Sequence, residues 1–261
     1  MNLMNTASLQ TTVVNRVLAR GRGDHQYIAR LAASAADVRA AQSLRFLVFN
    51  LELNEGLEQS FATLLDADPF DEICDHLLVE DRHTGEVVGT YRLQSGLVAG
   101  QRRGYYSAQE FDLSPFEPLR DRMIELGRAC VHSHHRNLTV LGLLWKGISD
   151  YARARSGRYL IGCSSLSSQD PAVGAAVYSD LSHRFLIAEP FRIQPLAELA
   201  CPLDRLAESY QRPPKLLSAY LSLGAKICGA PALDREFKTI DFLTFLDLDA
   251  LSPETVARYL S

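Results

Sequence analysis

The sequence predicts an α/β protein built on a mixed sheet with helices packed against it. Three observations lead there. Residues 76–94 (HLLVEDRHTGEVVGTYRLQ) are two β-rich runs around a His-Thr-Gly turn, the pattern of a hairpin. Residues 122–131 read as an apolar strand, 138–155 as a helix and Tyr159–Ser164 as another strand, which is a strand-helix-strand crossover. The chain has 261 residues and is 47% apolar, enough for one large core. A hairpin and a crossover in one chain imply a mixed sheet flanked by helices.

The elements follow in order. Residues 1–26 carry Arg16, Arg20 and Arg22 beside Gly21 and Gly23, and read as a flexible leader. Residue 27 opens an apolar, strand-like piece, YIARLAA. Ser34 and Asp37 form a capping box, and Val38, Ala41, Leu44, Val48 and Leu51 recur at helical spacing, so 35–53 is an amphipathic helix. Residues 54–72 are acidic and loop-like. Residues 95–120, rich in Gly, Pro, Arg and Tyr, bridge the hairpin to the central strand. The helix from Leu138 puts Leu138, Leu141, Trp145, Ile148 and Ala152 on one stripe. Asp170-Pro171 starts a further helix as N-cap and first-turn proline, Pro213-Pro214 opens another that closes near Gly224, residues 241–248 are a late strand, and Ser252-Pro253 begins a last short helix. Residues 27–261 thus form one domain.

Bulk properties exclude several classes. The net charge of −4 gives no field for nucleic acid. No run of eighteen apolar residues is present, which argues against a membrane span and against a lytic protein. The first 23 residues lack a continuous apolar h-region, so a cytoplasmic location is expected. Five scattered cysteines without a CxxC pair read as free thiols in a reducing compartment. His132, His134 and His135 have no second Cys/His cluster to complete a metal site, so none is expected.

The blocks ELGRACVHSHHR and LLWKGI, with CDHLLVEDRHTGEVVGTYRL, GCSSLSSQDP and PPKLLSAYLSLGAKICGAPALDREFKTIDFLTFLDLD, resemble the GNAT-like branch that contains the ornithine-lipid N-acyltransferases, proteins often labelled "putative hemolysin". The resemblance covers roughly 27–250 in order. It implies a mostly antiparallel central sheet splayed at a β-bulge, with a C-terminal extension. It also implies transfer of a 3-hydroxyacyl chain from acyl carrier protein to the α-amine of ornithine, and hence a role in lipid biosynthesis. The related acyl-homoserine-lactone synthases carry an acidic-x-x-Arg pattern, matched here by Glu125-Leu-Gly-Arg128. Typical GNAT proteins cradle a coenzyme A pyrophosphate with Q/R-x-x-G-x-G/A. Here that region reads Arg136-Asn-Leu-Thr-Val-Leu, without glycine, which fits the single phosphodiester of phosphopantetheine. Another acceptor, such as glycine, lysine or a homoserine-lactone-type amine, stays open.

Roles follow from the chemistry of amine attack on a thioester. An α-amine is largely protonated at neutral pH, so a base is needed. Glu125, in an apolar run that would raise its pKa, is the candidate, with a structural ion pair to Arg128 as the alternative. Arg128 orients Glu125 or binds the acceptor carboxylate. Positions 125 and 128 point to opposite faces of a regular strand, so the pairing requires a β-bulge, expected at 126–128. Arg136, Asn137 and Thr139 open a helix whose free N–H groups attract a phosphate, unless Asn137 only caps it. Ser164 and Ser165 follow a strand without a G-x-S-x-G elbow and line the thioester tunnel instead of attacking it. Asp75, His76 and Asp241, with Asp71 and Asp234, are candidates for a cationic acceptor. No permanent cofactor is implied. The expected partners are acyl carrier protein and the amino acid, with peripheral contact at the inner membrane because the product is a lipid.

Overall fold

The structure, a computed structural model, describes residues 17–20, 26–208 and 212–259. The strands are β1 (Val17–Arg20), β2 (Tyr27–Leu31), β3 (Asp75–Asp81), β4 (Val87–Ser95), β5 (Met123–Val131), β6 (Tyr159–Leu166), β7 (Lys226–Ile227), β8 (Ala232–Asp234) and β9 (Thr239–Asp247). The helices are α1 (Ala35–Phe46), α2 (Ser60–Thr63), α3 (Gly96–Gln101), α4 (Leu138–Ala154), α5 (Pro171–Phe185), α6 (Lys215–Ser222) and α7 (Pro253–Tyr259). Among the described residues the strands form one sheet in the order β1-β2-β3-β4-β5-β6-β9-β7, with β8 also pairing β9. Every pairing is antiparallel except β5 with β6, which the α4 crossover joins in parallel.

The helix starts obey their caps. Ser34 Oγ accepts from Asp37 N, Asn137 Oδ1 accepts from Thr139 N and Val140 N, and Asp170 Oδ1 accepts from Ala172 N. The 35–53 helix is α1 continued by a π-helical turn, Leu47–Glu52. One prediction needs correcting. Part of the leader, Val17–Arg20, is strand β1 and pairs with β2; residues 1–16 and 21–25 lie outside the described residues. The bridging segment contains α3 and 3₁₀ turns at Tyr106–Gln109 and Ser114–Arg122. Such turns have no apolar period to read.

Alternation along β4 and β5 sets the two faces. Tyr91, Leu93, Ile124 and Leu126 pack under α4 against Val140, Leu144 and Ile148. Burial of each such side chain contributes about 1.5–3 kcal/mol. Arg92, Gln94 and Glu125 alternate with them and so face the opposite side. Leu138, predicted on the apolar stripe of α4, is instead 77% exposed. It occupies the first helical position.

Candidate active site

β5 and β6 stay paired for three residues only, Met123 to Glu125 against Tyr159 to Ile161. Beyond them β5 follows β4 while β6 follows β9 as far as Leu166. The divergence begins at Gly162, where a Cβ would lie 2.2 Å from the Leu126 carbonyl oxygen. Only glycine permits that approach. The gap widens into a cleft of about 730 Å³, walled by Leu126–Val131 of β5, by Cys163–Ser165 of β6 and by the start of α6.

Across from Tyr91, β5 carries one residue too many: Thr90 pairs Cys130, but Arg92 pairs Gly127. The bulge therefore falls at Arg128–Ala129, one residue beyond the expected span, and Arg128 has φ +49°. In a regular strand Arg128 would share the α4 face with Ile124 and Leu126. The extra residue turns its guanidinium to the Glu125 side. A left-handed, non-glycine residue costs about 1–2 kcal/mol, and the contacts of Arg128 offset this.

Those contacts form a buried network. Arg128 reaches Asp66 at 3.2 Å and Asp68 at 2.9 Å. Arg92 reaches Asp68 at 2.6 Å and Asp71 at 3.1 Å. Arg45 of α1 closes the ring on Asp66 at 2.8 Å and Asp71 at 2.6 Å. Burial opposes ionisation of Asp71, yet Arg45 and Arg92 overcome it and hold its carboxyl below the ordinary range. The Arg128 guanidinium also lies 4.7 Å from the Tyr106 ring centre and 4.6 Å from that of Phe237, cation–π distances.

Glu125 is buried on the cleft wall. Its carboxylate accepts from Tyr106 N and Ser107 N, each at 2.8 Å, and from Ser107 Oγ at 2.6 Å. It thereby fixes the 3₁₀ turn at 106–109. Burial raises its pKa, and the bonds from Ser107 and Tyr106 oppose the rise. Glu125 and Arg128 do not form an ion pair; each holds one side of Tyr106.

The mouth carries Arg136, Asn137 and Leu138 from the start of α4, opposite Lys215 of α6. Arg136 is a fork on Glu52, with Nη2 at 2.7 Å, and its Nε donates to Val131 O. The Thr139 amide is taken by Asn137, and Thr139 is exposed without lining the cleft. Ser164 and Ser165 both line it. Asp241 does too, but Asp75 and His76 do not. Asp75 binds Tyr151 at 2.8 Å and Arg155 at 2.7 Å, and His76 is buried against the Asp71 carbonyl at 3.1 Å. As neighbours on β3 they face opposite sides of the sheet, Asp75 toward α4 and His76 toward Asp71, and neither reaches the opening.

Sequence reasoning missed Arg45, Arg92, Ser107 and Glu110. Glu110 is buried in the cleft wall beside Asp234 and Asp241, with one carboxylate oxygen of each within 4.8 Å of the others. Burial, then Asp241 and Asp234, push the Glu110 pKa well up. Burial likewise takes Asp241 to about 6. An arginine inside the apolar alternation of β4 was a readable signal for Arg92; nothing local marked Glu110.

The Acetyltransferase (GNAT) domain family matches residues 44–146, from α1 to α4. Among solved structures, the AHL synthase LasI superposes with TM-score 0.53 at 12% identity over 90% of this chain and 96% of that one. FeeM, an N-acyl amino acid synthase from uncultured soil microbes, gives 0.50 at 14% over 90% and 96%. These likenesses are of fold. A GNAT-type sheet opened at a bulge, with its domain matched in sequence, makes the chain an acyltransferase. The particular family is fixed by curated relatives: the L-ornithine N(alpha)-acyltransferase of Brucella abortus is 34% identical over 88% of this chain and 87% of its own length. That of Rhodobacter capsulatus is 34% identical over 87% and 92%. The chain belongs to the L-ornithine N(alpha)-acyltransferase family.

Proposed function

We propose that the protein transfers a (3-hydroxy)fatty acyl chain from the phosphopantetheine of acyl carrier protein to the α-amine of ornithine, giving lyso-ornithine lipid. The observation that carries this reading is the cleft between β5 and β6, open at the α4 and α6 termini and lined inside by acidic groups. The pantetheine arm enters between the diverging strands, with Ser164 and Ser165 along its path. Arg136, Asn137 and Lys215 meet its phosphate at the mouth, Arg136 exchanging Glu52 for the ligand. The first-turn amide of Thr139 contributes only if Asn137 releases it. Leu126–Ala129 lack a ladder partner on the β6 side, so backbone N–H groups on that edge are available to the thioester oxygen as charge develops.

The acceptor ammonium first loses a proton. The free amine then forms the C–N bond as the C–S bond breaks, the nitrogen gives up a second proton, and the departing thiolate takes one. Glu125 is the base, poised by burial and by the Ser107 hydroxyl. Arg128 acts as a positioning residue through Tyr106. Exposed Leu53 and Leu138 on the cleft mouth support contact with a membrane surface, where the lipid product leaves; among the described residues no helix is long and apolar enough to cross a membrane. Incubation with ornithine and either hydroxyacyl carrier protein or hydroxyacyl-coenzyme A, with product masses read out, tests the reading. The carrier should be the better donor; equal use of coenzyme A would reject that assignment.

A further inference from the structure

Three carboxylates meet in the cleft with no cationic side chain of the described residues paired to them. Glu110, Asp234 and Asp241 lie within 4.8 Å of one another and form no ion pair among the described residues. The contrast with Asp66, Asp68 and Asp71 is sharp, since those three are matched by three arginines. The positive charge of Arg128 is felt at Glu110, yet that guanidinium is committed to Asp66 and Asp68. Asp234 is steadied through Oδ1 by the amides of Glu236 and Phe237.

Two buried oxygens here want a donor. Asp241 is 3% exposed; Thr239, Ser165 and Glu110 bond its carboxylate, yet Oδ1 has no partner of good geometry. Glu55, 7% exposed on the same cleft wall and close enough to feel the charge of Asp241, is bonded by Ser167 but likewise keeps Oε1 without a well-placed donor. A buried acceptor without a donor costs about 1–3 kcal/mol, so a group bearing several N–H bonds is the natural complement. One oxygen from each carboxylate lies within 4.8 Å of the others, close enough for a single ammonium nitrogen donating at ~2.9 Å in tetrahedral directions to reach all three.

The trio is also close to the reaction centre. The Cys163 thiol stands 3.6 Å from Ser107 Oγ and 3.9 Å from both Glu110 oxygens, and Ser107 Oγ binds Glu125. Two side chains, Cys163 and Ser107, thus stand between Glu110 and the carboxylate beside which the α-amine reacts, and a diamino acid has four carbons between its amines with which to pass them. We infer that Glu110, Asp234 and Asp241 seat the side-chain ammonium of the acceptor and so make the enzyme selective for a cationic α-amino acid. The inference rests on the acyltransfer reading above for the place of the α-amine.

Binding of the amino acid to the trio is measurable without an acyl donor. Calorimetric titration of the full chain with L-ornithine and with norvaline, which has the same skeleton without the side-chain amine, tests it. Ornithine should bind at least ~10-fold tighter, and Glu110→Gln or Asp241→Asn should bring the ratio toward one while norvaline affinity moves less than about twofold. Equal binding of the two amino acids, no ornithine binding, or equal loss of both in the variants overturns the inference. So does displacement of ornithine by magnesium or calcium alone, which would make the trio a metal site. The wild-type comparison needs no variant to fold. Failure here is separable from failure of the acyltransfer reading: acylation of ornithine and norvaline with the same KM would sink the inference alone, whereas ornithine-selective binding without thioester turnover would sink the reading alone.

Discussion

Arg128 shows how a residue becomes functional by position. Its charge was visible in the sequence, but its φ of +49° and its three-sided fixation were not. The partners lie 60 and 62 residues away, at Asp68 and Asp66, and no local period connects them. Arg128→Ala leaves two buried aspartates short of a cation and should cost about 3–5 kcal/mol of stability, measured by urea unfolding. Arg128→Lys retains charge but loses the fork, so it should be intermediate. At Asp241 the sign runs the other way. Burial raises its pKa from 3.8 to about 6, so the folded state binds more protons than the unfolded one between those values. Stability therefore falls as pH rises through that window, and the full cost is present above about pH 6. Asp234, which faces it, adds to the same penalty, whereas the hydrogen bonds from Ser165, Thr239 and Glu110 oppose it. Asp241→Asn should raise Tm at pH 7.5, with the gain fading toward pH 4; a gain that grows on acidification would contradict this. Asp234 and Asp241 were both legible as candidate partners for a cation, whereas Glu110, in a segment of 3₁₀ turns, had no such cue.

The elements were the most readable layer. The hairpin, α4, α5 and α6 stand where turn residues, caps and spacing put them. A bulge was needed to bring Glu125 and Arg128 to one face, and it falls one residue later because the left-handed turn is taken by Arg128 itself. The π-helical end of α1 was hidden, since its apolar residues continue the α-helical pattern. At the start of α4, Asn137→Ala removes the acceptor for two amides and should cost about 1 kcal/mol, read from thermal unfolding. Arg136→Ala should raise KM for the acyl donor several-fold and weaken its salt dependence, with kcat little changed. A fall in kcat alone would place Arg136 outside donor docking.

At the scale of the whole molecule, the sheet works as two blades joined at Met123–Glu125. β1 to β5 lie on one side, β6 to β9 on the other, and α4 links them. The hairpin and crossover made a mixed sheet legible, but the depth of its opening was not, because it depends on which backbone atoms meet at Gly162. Gly162→Ala should force the blades apart at their junction and destabilise the fold. The central claim, that an acid on the cleft wall takes the amine proton, is tested most directly by single-turnover transfer from hydroxyacyl carrier protein to ornithine, comparing the native enzyme with Glu125→Gln. The account predicts one N-acylornithine formed per carrier thiol released, and a rate about 10²–10⁴-fold lower in a variant that loses one acceptor for the 106–107 amides but stays folded at the assay temperature. An equal rate in the two proteins would contradict it.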